Sequence, residues 1–136
     1  MPFLGGGFGA KVYIKTEALA AAMALLSNRP VKYAQTMEEQ FYTITKHPCT
    51  FRIKSGDSED GKILARECEV WWNGGAYADI GPRVTQKSGF TAAGPYDIEN
   101  VKAIGYDVVT NRPKAISYRA PGAPIAAFGI ESAIDE

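Results

Sequence analysis

The sequence predicts a single compact domain of the α+β class, with a mostly antiparallel sheet and helices packed on it. Three observations lead to this fold. The chain has 136 residues, the usual size of one domain, and 46% of them are hydrophobic, enough to build a core. Apolar residues alternate with polar ones in the middle of the chain, as in strands, but recur at helical spacing near both ends. No repeat, low-complexity tract or linker divides residues 1–136.

The composition excludes several classes of protein. Fifteen basic residues balance fifteen acidic ones, so a nucleic-acid partner held by net charge is not expected. The longest apolar run, Ala18–Leu26, is far shorter than the ~20 residues that a membrane-spanning helix needs, and the chain does not begin like a signal peptide. We therefore expect a cytoplasmic protein without a membrane partner. Cys49 and Cys68 are expected to be reduced thiols in the core, and a single histidine makes a metal site built from side chains unexpected.

The first third of the chain is predicted to form a helix, a strand and a second helix. Thr16 can cap a helix over Glu17–Leu26. The apolar residues that share one face of this helix are Leu19, Ala22, Met23 and Leu26. A short strand is predicted over Val31–Gln35. The pattern Thr36-x-x-Glu39 is a capping box, which predicts a helix over Met37–Tyr42.

The middle of the chain is predicted to form a β-hairpin and a third strand. Its two hairpin strands are joined by a polar loop, Ser55–Gly61. The apolar residues that alternate along the two strands are Cys49, Phe51 and Ile53, then Leu64, Cys68, Val70 and Trp72. Arg66 is the exception in this row. The run Asn73–Gly75 breaks or bulges the return strand, and Lys102–Val109 is the third strand.

The remaining segments are short or irregular. Residues 79–95 are interrupted by Gly and Pro, with a short helix over Val84–Phe90 as one possibility. Ala115–Tyr118 is predicted to be a short strand, and Ile125–Ile134 a helix inside which the chain stops.

Two glycine-rich loops are the candidate binding elements. The first loop covers residues 5–11, the second loop covers residues 119–124, and each lies just before a predicted helix. Backbone N–H groups at a helix N-terminus favour anions, so both loops suit an anionic ligand, although both could also be ordinary turns. A phosphate-binding P-loop is excluded because Val12, not Ser or Thr, follows Lys11. A dinucleotide fingerprint is disfavoured because no strand precedes the first loop and no acidic residue follows at the required distance.

The motifs of the chain, taken in order, resemble one family. They are Gly5-Gly-Gly-Phe-Gly-Ala-Lys11, Arg29-Pro-Val-Lys32, Asn73-Gly-Gly-Ala-Tyr-Ala-Asp-Ile-Gly-Pro82, Gly94-Pro-Tyr96 with Thr110-Asn111, and Tyr118-Arg-Ala-Pro-Gly-Ala-Pro124 followed by Ile130-Glu-Ser132. This series resembles the large subunit of the molybdenum hydroxylases, the group of xanthine dehydrogenase, aldehyde oxidase and aerobic carbon monoxide dehydrogenase. Because the match covers essentially the whole chain, residues 1–136 are interpreted as a fragment of the molybdopterin-binding domain.

The resemblance implies which residues contact the cofactor. Gly7, Phe8 and Gly9 of the first loop would surround the molybdenum end of molybdopterin, with the N–H of Phe8 close to the metal's ligands. Arg119 and Ala120 would do the same from the second loop. No side chain is expected to bind the metal directly.

Departures from the family pattern concern the substrate. Val12 stands where purine-oxidising members have a glutamate, and Lys87 falls near the position of their purine-anchoring arginine. Ala120-Pro121 replaces the residues that pack an aromatic ring on the substrate, and Ala120 also stands where some carbon monoxide enzymes have a copper-binding cysteine. Val12, Lys87 and Pro121 are therefore the candidate substrate residues, and an aldehyde or aromatic heterocycle is favoured over xanthine.

The resemblance also implies a reaction and partners. The reaction is a hydroxylation with water as the oxygen source, carried out by the cofactor. No segment resembles the family's catalytic glutamate, so the chain is expected to be inactive alone. It is also expected to hold no cofactor, because half of the cofactor's partners would be missing. It would work with the remainder of the large subunit and with iron–sulfur and flavin components. Alternatives are a stand-alone cofactor-binding module and a structural or assembly module without catalysis. Exposure of Phe8, Pro121 and Pro124 predicts self-association of the isolated chain.

Overall fold

The structure is a computed structural model that describes residues 3–136, and it confirms the α+β class. Four helices and three strands follow one another along this part of the chain. They are α1 (Glu17–Ser27), α2 (Met37–Thr43), β1 (Cys49–Asp57), β2 (Ile63–Gly75), α3 (Gly81–Phe90), β3 (Asn100–Val109) and α4 (Ala123–Asp135). The strands form one sheet in the order β1-β2-β3.

The sheet has β2 at its centre. β1 and β2 form the predicted antiparallel hairpin, with Cys49 opposite Trp72 and Ile53 opposite Cys68. β3 pairs with β2 in the parallel direction. A parallel neighbour requires a crossover, and here the chain from β2 passes through α3 before β3 begins. The predicted irregularity at Asn73–Gly75 is confirmed, because the β2–β3 register shifts between these two residues.

The inward face of β2 supplies much of the core. The buried residues that alternate along it are Arg66, Cys68, Val70 and Trp72. Arg66 therefore continues the buried row, while Leu64, predicted to point inward, is exposed. Burial of the Arg66 guanidinium is partly compensated by Ser55 Oγ at 3.2 Å from Nε, by the Ala93 carbonyl at 3.4 Å from Nη1, and by the ring of Tyr96. Its buried Nη2 has no hydrogen-bond partner within residues 3–136.

Trp72 is the centre of the core. Its side chain is 0% exposed and packs with Val70 and Val84, between the sheet and α3. The indole Nε1–H donates to Ser88 Oγ at 2.9 Å, so the one polar atom of this buried ring is satisfied. Phe51 of β1 meets the indole edge-on, with 6.1 Å between the ring centres.

The two cysteines are free thiols, as predicted. Cys68 is buried and Cys49 is half-buried. Burial raises the pKa of the Cys49 thiol to about 11, and burial also raises the pKa of Cys68. Both side chains are therefore protonated at neutral pH and behave as small apolar residues.

The helix α1 forms where the sequence predicts it but is not packed as predicted. None of its residues is buried, and Leu26 on the predicted core face is 90% exposed. The reason is that, among residues 3–136, α1 packs against no strand and no other helix. The capping box of α2 is confirmed: the Thr36 N–H donates to the Glu39 carboxylate at 2.8 Å, and the Glu39 N–H donates to Thr36 Oγ1 at 3.2 Å.

Two short strands were predicted wrongly. Residues 31–35 form no strand, because no neighbouring strand pairs with them in the described part of the chain. In the segment 115–118 only Ala115 forms a single parallel bridge, to Thr45. The ladder cannot extend far there, because Pro113 lacks an N–H and Arg119 has a positive φ of 29°.

The boundaries of other elements differ slightly from prediction. α3 begins at Gly81, earlier than expected, because Pro82 occupies its first turn, where the missing N–H has no cost. α4 begins at Ala123 for the same reason, with Pro124 in its first turn. No helix among residues 3–136 is both long and apolar enough to cross a membrane.

Candidate functional site

The structure brings the two glycine-rich loops together. The backbone N–H of Arg119 in the second loop donates to the carbonyl of Phe8 in the first loop, at 2.8 Å. Beside this hydrogen bond, Gly9 lies directly on Ser117: a Cβ atom built on Gly9 would be 2.0 Å from the Ser117 carbonyl oxygen. Gly9 also has a φ of 101°. Only glycine fits this position, because any side chain would collide with backbone.

The first loop is closed by its own backbone. The N–H of Ala10 donates to the carbonyl of Gly7 at 2.8 Å, and the ammonium of Lys11 donates to the carbonyl of Leu4. The ring of Phe8 covers Gly6, where a Cβ atom would come within 2.9 Å of the ring. The Lys11 side chain therefore connects the end of the first loop to the residue before it.

Backbone strain is concentrated where the loops meet. Five residues other than glycine have a positive φ among residues 3–136, and three of them belong to the predicted site: Phe8 (51°), Arg119 (29°) and Ala120 (54°). Left-handed backbone costs of order 1–3 kcal/mol for such residues and is found mostly at functional sites. None of the backbone–backbone hydrogen bonds of the described residues starts from the N–H of Phe8, Gly9 or Ala120. These three donors are thus free to bind a ligand.

The second loop is built onto the helices α3 and α4. Gly122, the last residue of the second loop before α4, has a φ of 87°, and a Cβ atom there would be 3.0 Å from the Val84 carbonyl of α3. α4 begins at the next residue without a side-chain cap. In the first turn of α4, the Ala123 N–H donates to the Ala120 carbonyl at 3.2 Å and Pro124 has no N–H, so this turn adds few free donors to those of the loop.

Two side chains cover the junction of the loops. The Arg119 guanidinium lies over the ring of Phe8, 5.8 Å from the ring centre. Phe8 is 63% exposed and Arg119 is also exposed. The junction therefore presents an aromatic ring, a positive charge and free backbone donors on one surface.

The predicted substrate residues occupy different places. Pro121 is half-buried in the second loop, and Lys87 is exposed in the last turn of α3. These two lie in neighbouring elements, because Gly122 contacts α3 one turn before Lys87. Val12 is 68% exposed and follows the first loop, its N–H 3.4 Å from the Gly9 carbonyl.

An open groove adjoins the loop junction. It has a volume of about 460 Å³ and is mostly apolar. The residues that line it from the first loop, from the segment before the second loop and from α2 include Ala10, Ser117, Tyr118, Met37, Gln40 and Phe41. At its side, the Lys46 ammonium lies 5.3 Å from the ring centre of Tyr118. The sequence did not reveal this groove, because its residues are far apart along the chain.

A second close glycine contact, between Gly75 and Pro113, positions the chain that leads to the second loop. Gly75 has a φ of 79°, and a Cβ atom there would be 2.4 Å from the Pro113 carbonyl. Asn73 fixes the same turn, since its side-chain oxygen accepts from Gly75 N–H at 3.1 Å and from Thr110 Oγ1 at 2.6 Å. The sequence showed Asn73–Gly75 as a break in a strand. In the structure, this segment also lets the chain that leads to the second loop lie directly on the end of β2.

Within residues 3–136, no group of three or more His, Cys, Asp or Glu side chains is placed to hold a metal ion. The polar groups at the junction are backbone amides and one guanidinium. Such a donor set suits an anionic organic group, which backbone N–H groups and a guanidinium can bind without any carboxylate.

Comparison with known proteins identifies a matching family and several similar proteins. Residues 1–136 match the model of the molybdopterin cofactor-binding domain. The chain is 38% identical over 133 residues to a probable xanthine dehydrogenase subunit of Bacillus subtilis, covering 97% of the chain and 18% of the relative. It is 34% identical over 123 residues to the nicotinate dehydrogenase large molybdopterin subunit of Eubacterium barkeri, covering 90% and 29%.

The fold is also that of a solved structure. The aldehyde oxidoreductase of Desulfovibrio desulfuricans superposes with a TM-score of 0.88 at 29% identity, covering 96% of the chain and 15% of that protein. The chain thus spans less than a third of the length of each of these three proteins.

Proposed function

Because the chain belongs to the molybdopterin cofactor-binding domain family, we propose that its two loops form one side of the molybdopterin site of a molybdenum hydroxylase large subunit. The observation that carries this proposal is the junction of the loops. Phe8 and Gly9 meet Ser117 and Arg119 there through a hydrogen bond and a contact that admits no side chain. This junction holds strained backbone and free N–H donors in one place.

The chain's own residues act by binding and orientation. Gly7, Phe8 and Gly9 offer backbone donors from one side, and Ala120 offers its N–H from the other, with the Arg119 guanidinium beside it. These donors are preorganised, because Gly9 and Gly75 fix both loops against backbone that cannot move away. When bound, molybdopterin supplies the redox chemistry of a hydroxylation that takes its oxygen from water.

The substrate is proposed to be an aldehyde or an aromatic heterocycle. The exposed side chain of Val12 can form no hydrogen bond, so a purine would lose a polar anchor at this position. Pro121 brings no aromatic face, and Lys87 supplies a point charge where a bidentate guanidinium would recognise a purine. The relatives named for nicotinate and for aldehydes support this substrate class, whereas the Bacillus subtilis relative is named for xanthine.

The same proposal assigns the partners. The remainder of the large subunit would complete the cofactor site, and iron–sulfur and flavin components would accept the electrons. The 136-residue chain alone would then be inactive and hold no molybdopterin, because half of the cofactor's contacts would be missing. We propose a cytoplasmic location for the whole enzyme.

Ala120 provides a test of the cofactor site. Ala120→Asp would place a carboxylate in the second loop, where it repels an anionic cofactor, and Ala120→Asn would add a neutral side chain of the same size. Both residues tolerate the left-handed backbone at this position. In the large subunit that carries this domain, purified with its partner subunits, we expect the Asp variant to lose most of its molybdenum and pterin. The Asn variant should keep most of both.

Equal molybdenum and pterin contents in the two variants would contradict the proposed cofactor site. The substrate class is tested separately on the unmodified enzyme. Turnover of an aldehyde or of nicotinate should exceed turnover of xanthine by roughly 100-fold in kcat/KM, the discrimination that one lost polar contact can provide. Xanthine as the best substrate would overturn the assignment of Val12 and Lys87.

The isolated 136-residue chain is expected to self-associate. In addition to the exposed Phe8, the unpacked helix α1 exposes Leu25 and Leu26, at 83% and 90%. Exposed apolar surface of this kind drives association in water. Light scattering should show an average mass above 14.7 kDa that rises with concentration. The double variant Leu25→Lys, Leu26→Glu should reduce this rise, and a monomer at every concentration would contradict the prediction.

A further inference from the structure

The chain that leads into the second loop rests on a buried support. We call Ala115 and Ile116 the loop support, since both are buried and only Ser117 and Tyr118 separate them from the loop. The N–H of Ala115 donates to the Gly74 carbonyl at 2.9 Å, and the N–H of Ile116 donates to the Thr45 carbonyl at 3.0 Å. The position of the loop support therefore determines where the backbone of Ser117 lies and how it contacts Gly9.

His47 is packed against the loop support. The residue is 3% exposed, and its imidazole meets the indole of Trp72 edge-on with 6.1 Å between ring centres. The backbone of Ile116 faces the ring and favours its protonated form. The adjoining residue is also fixed, because the Pro48 carbonyl accepts from the N–H of Asn73 at 2.9 Å. His47 is thus held between the core and the loop support.

The charged groups that face His47 come from two neighbouring elements. They are Asp107 of β3 and Asp79 of the turn before α3, and both favour the protonated ring. Asp79 is already engaged in an ion pair with Lys114 at 2.9 Å. Asp107 has no such partner, and its buried Oδ1 forms no hydrogen bond within the described residues.

The Asp107 carboxyl group lies in a space that two glycines leave open. A Cβ atom on Gly74 would be 2.8 Å from Asp107 Oδ1, and one on Gly81 would be 2.3 Å from Oδ2. His47 Nε2 is likewise buried and has no hydrogen-bond partner within residues 3–136. The buried His47 and the half-buried Asp107 therefore each keep one buried polar atom without a hydrogen-bond partner within residues 3–136.

We propose that His47 is a positioning residue for the second loop: its neutral imidazole, held between Trp72 and the backbone of Ile116, fixes the loop support and thereby the hydrogen bond from Arg119 to Phe8. This inference rests on the proposed function in one respect only, the identity of the ligand that the second loop binds. The positioning itself is a property of the chain without cofactor, so its failure and the failure of the proposed function are observed in different experiments.

Protonation of His47 should weaken this arrangement. Burial lowers the pKa of His47 below its ordinary value of 6.5, and this effect exceeds the attraction of Asp107. Burial also raises the pKa of Asp107. The unfolded chain therefore binds a proton at His47 before the folded chain does, so stability falls as the pH drops through 6.5 toward the lower pKa of the folded state. Protonation in the fold adds a buried charge against Trp72, which loosens the loop support.

The test uses the fact that His47 is the single histidine of the chain. Its Cε1–H signal in an NMR titration of the 136-residue chain is therefore unambiguous. We expect this signal to titrate with a midpoint below 6.5. The amide signals of Ser117 and Arg119 should shift with the same midpoint, while the amide of Ile53 in β1 should not. Loop amides that do not move, or that move with a different midpoint, would overturn the proposal.

Two substitutions separate positioning from simple packing. His47→Phe keeps a planar ring and removes both nitrogens, whereas His47→Asn keeps a short polar side chain that faces the backbone of Ile116 and carries no titratable group. We expect hydrogen exchange of the Arg119 N–H to become about tenfold faster in the Phe variant. In the Asn variant the exchange rate should lie close to that of the unmodified chain. The shift of the Ser117 and Arg119 amide signals with pH should be lost in both variants.

The amide of Val70 in the core reports global opening in the same samples. Equal acceleration at Val70 and Arg119 would mean that His47 only stabilises the fold, and unchanged exchange at Arg119 would mean that it does not hold the loop. Either outcome overturns the proposal. Should both variants fail to fold, the titration of the unmodified chain decides alone.

Discussion

Gly9→Ala is expected to separate the two loops and to abolish molybdopterin binding by the subunit that carries this domain. The new methyl group would lie 2.0 Å from the Ser117 carbonyl oxygen, and backbone cannot rotate away as a side chain could. The left-handed φ of Gly9 adds strain of roughly 1–3 kcal/mol. Molybdenum and pterin analysis of the purified subunit should show near-complete loss of both, with no turnover of any substrate.

A second glycine serves as the matched control. Gly61 also has a positive φ, of 82°, but a Cβ atom there would meet no atom within 4 Å. Gly61→Ala therefore introduces similar strain without a collision and lies far from the loops, so we expect the cofactor content to stay near that of the unmodified subunit. Full cofactor content in the Gly9 variant would contradict the proposed role of the loop junction.

Trp72→Ala is expected to cost about 3–5 kcal/mol of the free energy of unfolding, the usual loss for a buried Trp. The side chain is 0% exposed and contacts Phe51, His47 and Val84. Truncation would also leave Ser88 Oγ without the Nε1–H that donates to it. Urea unfolding monitored by far-ultraviolet circular dichroism should show a markedly lower midpoint, or a chain that is unfolded without denaturant.

The neighbouring tryptophan provides the comparison. Trp71 points to the other face of the sheet, is half-buried, and stacks on Tyr106 with 5.4 Å between ring centres. Trp71→Ala should cost about 1 kcal/mol or less, the value of a cross-strand aromatic pair. Similar losses in the two variants would show that the core is not centred on Trp72.

Local patterns along the chain predicted most of the fold. The alternation of Cys49, Phe51 and Ile53 indicated the strand β1, and Thr36 with Glu39 indicated the start of α2, because each depends on neighbours in sequence. The parallel pairing of β3 could not be predicted, since it depends on the path of the chain through α3. The sequence also could not show that Arg66 is buried, because Ala93 belongs to a distant segment and Ser55, which pairs with Arg66 across the hairpin, was assigned to the loop.

The helix α1 shows a different limit of sequence patterns. An apolar helix face is buried only where another element packs against it. In residues 3–136 no strand or helix packs against α1. The failed strand at 31–35 has a similar cause, because a strand exists only with a neighbour. A sequence pattern states what a segment can bury or pair, and the partner has to be found elsewhere.

The candidate site was predictable in its residues but not in its geometry. The spacing of glycines and the resemblance to a family indicated Gly7, Phe8, Gly9, Arg119 and Ala120 together. The structure adds that the two loops touch, that three of these residues have left-handed backbone, and that Ser117 lies at the contact. Ser117 gave no signal in the sequence, since only its backbone oxygen is used. The roles of all these residues toward a cofactor stay predictions.

The hydrogen bond between Arg119 and Phe8 joins two residues separated by most of the chain. Closing such a long loop costs more entropy than forming the β1–β2 hairpin, whose strands are adjacent in sequence. We therefore expect an order of assembly in which the sheet and its Trp72 core form early and the two loops meet last. Pulse-labelling hydrogen exchange during refolding should show protection at Val70 before protection at Arg119. The cofactor would then be inserted into a domain whose scaffold is already rigid, with loop closure as the final step.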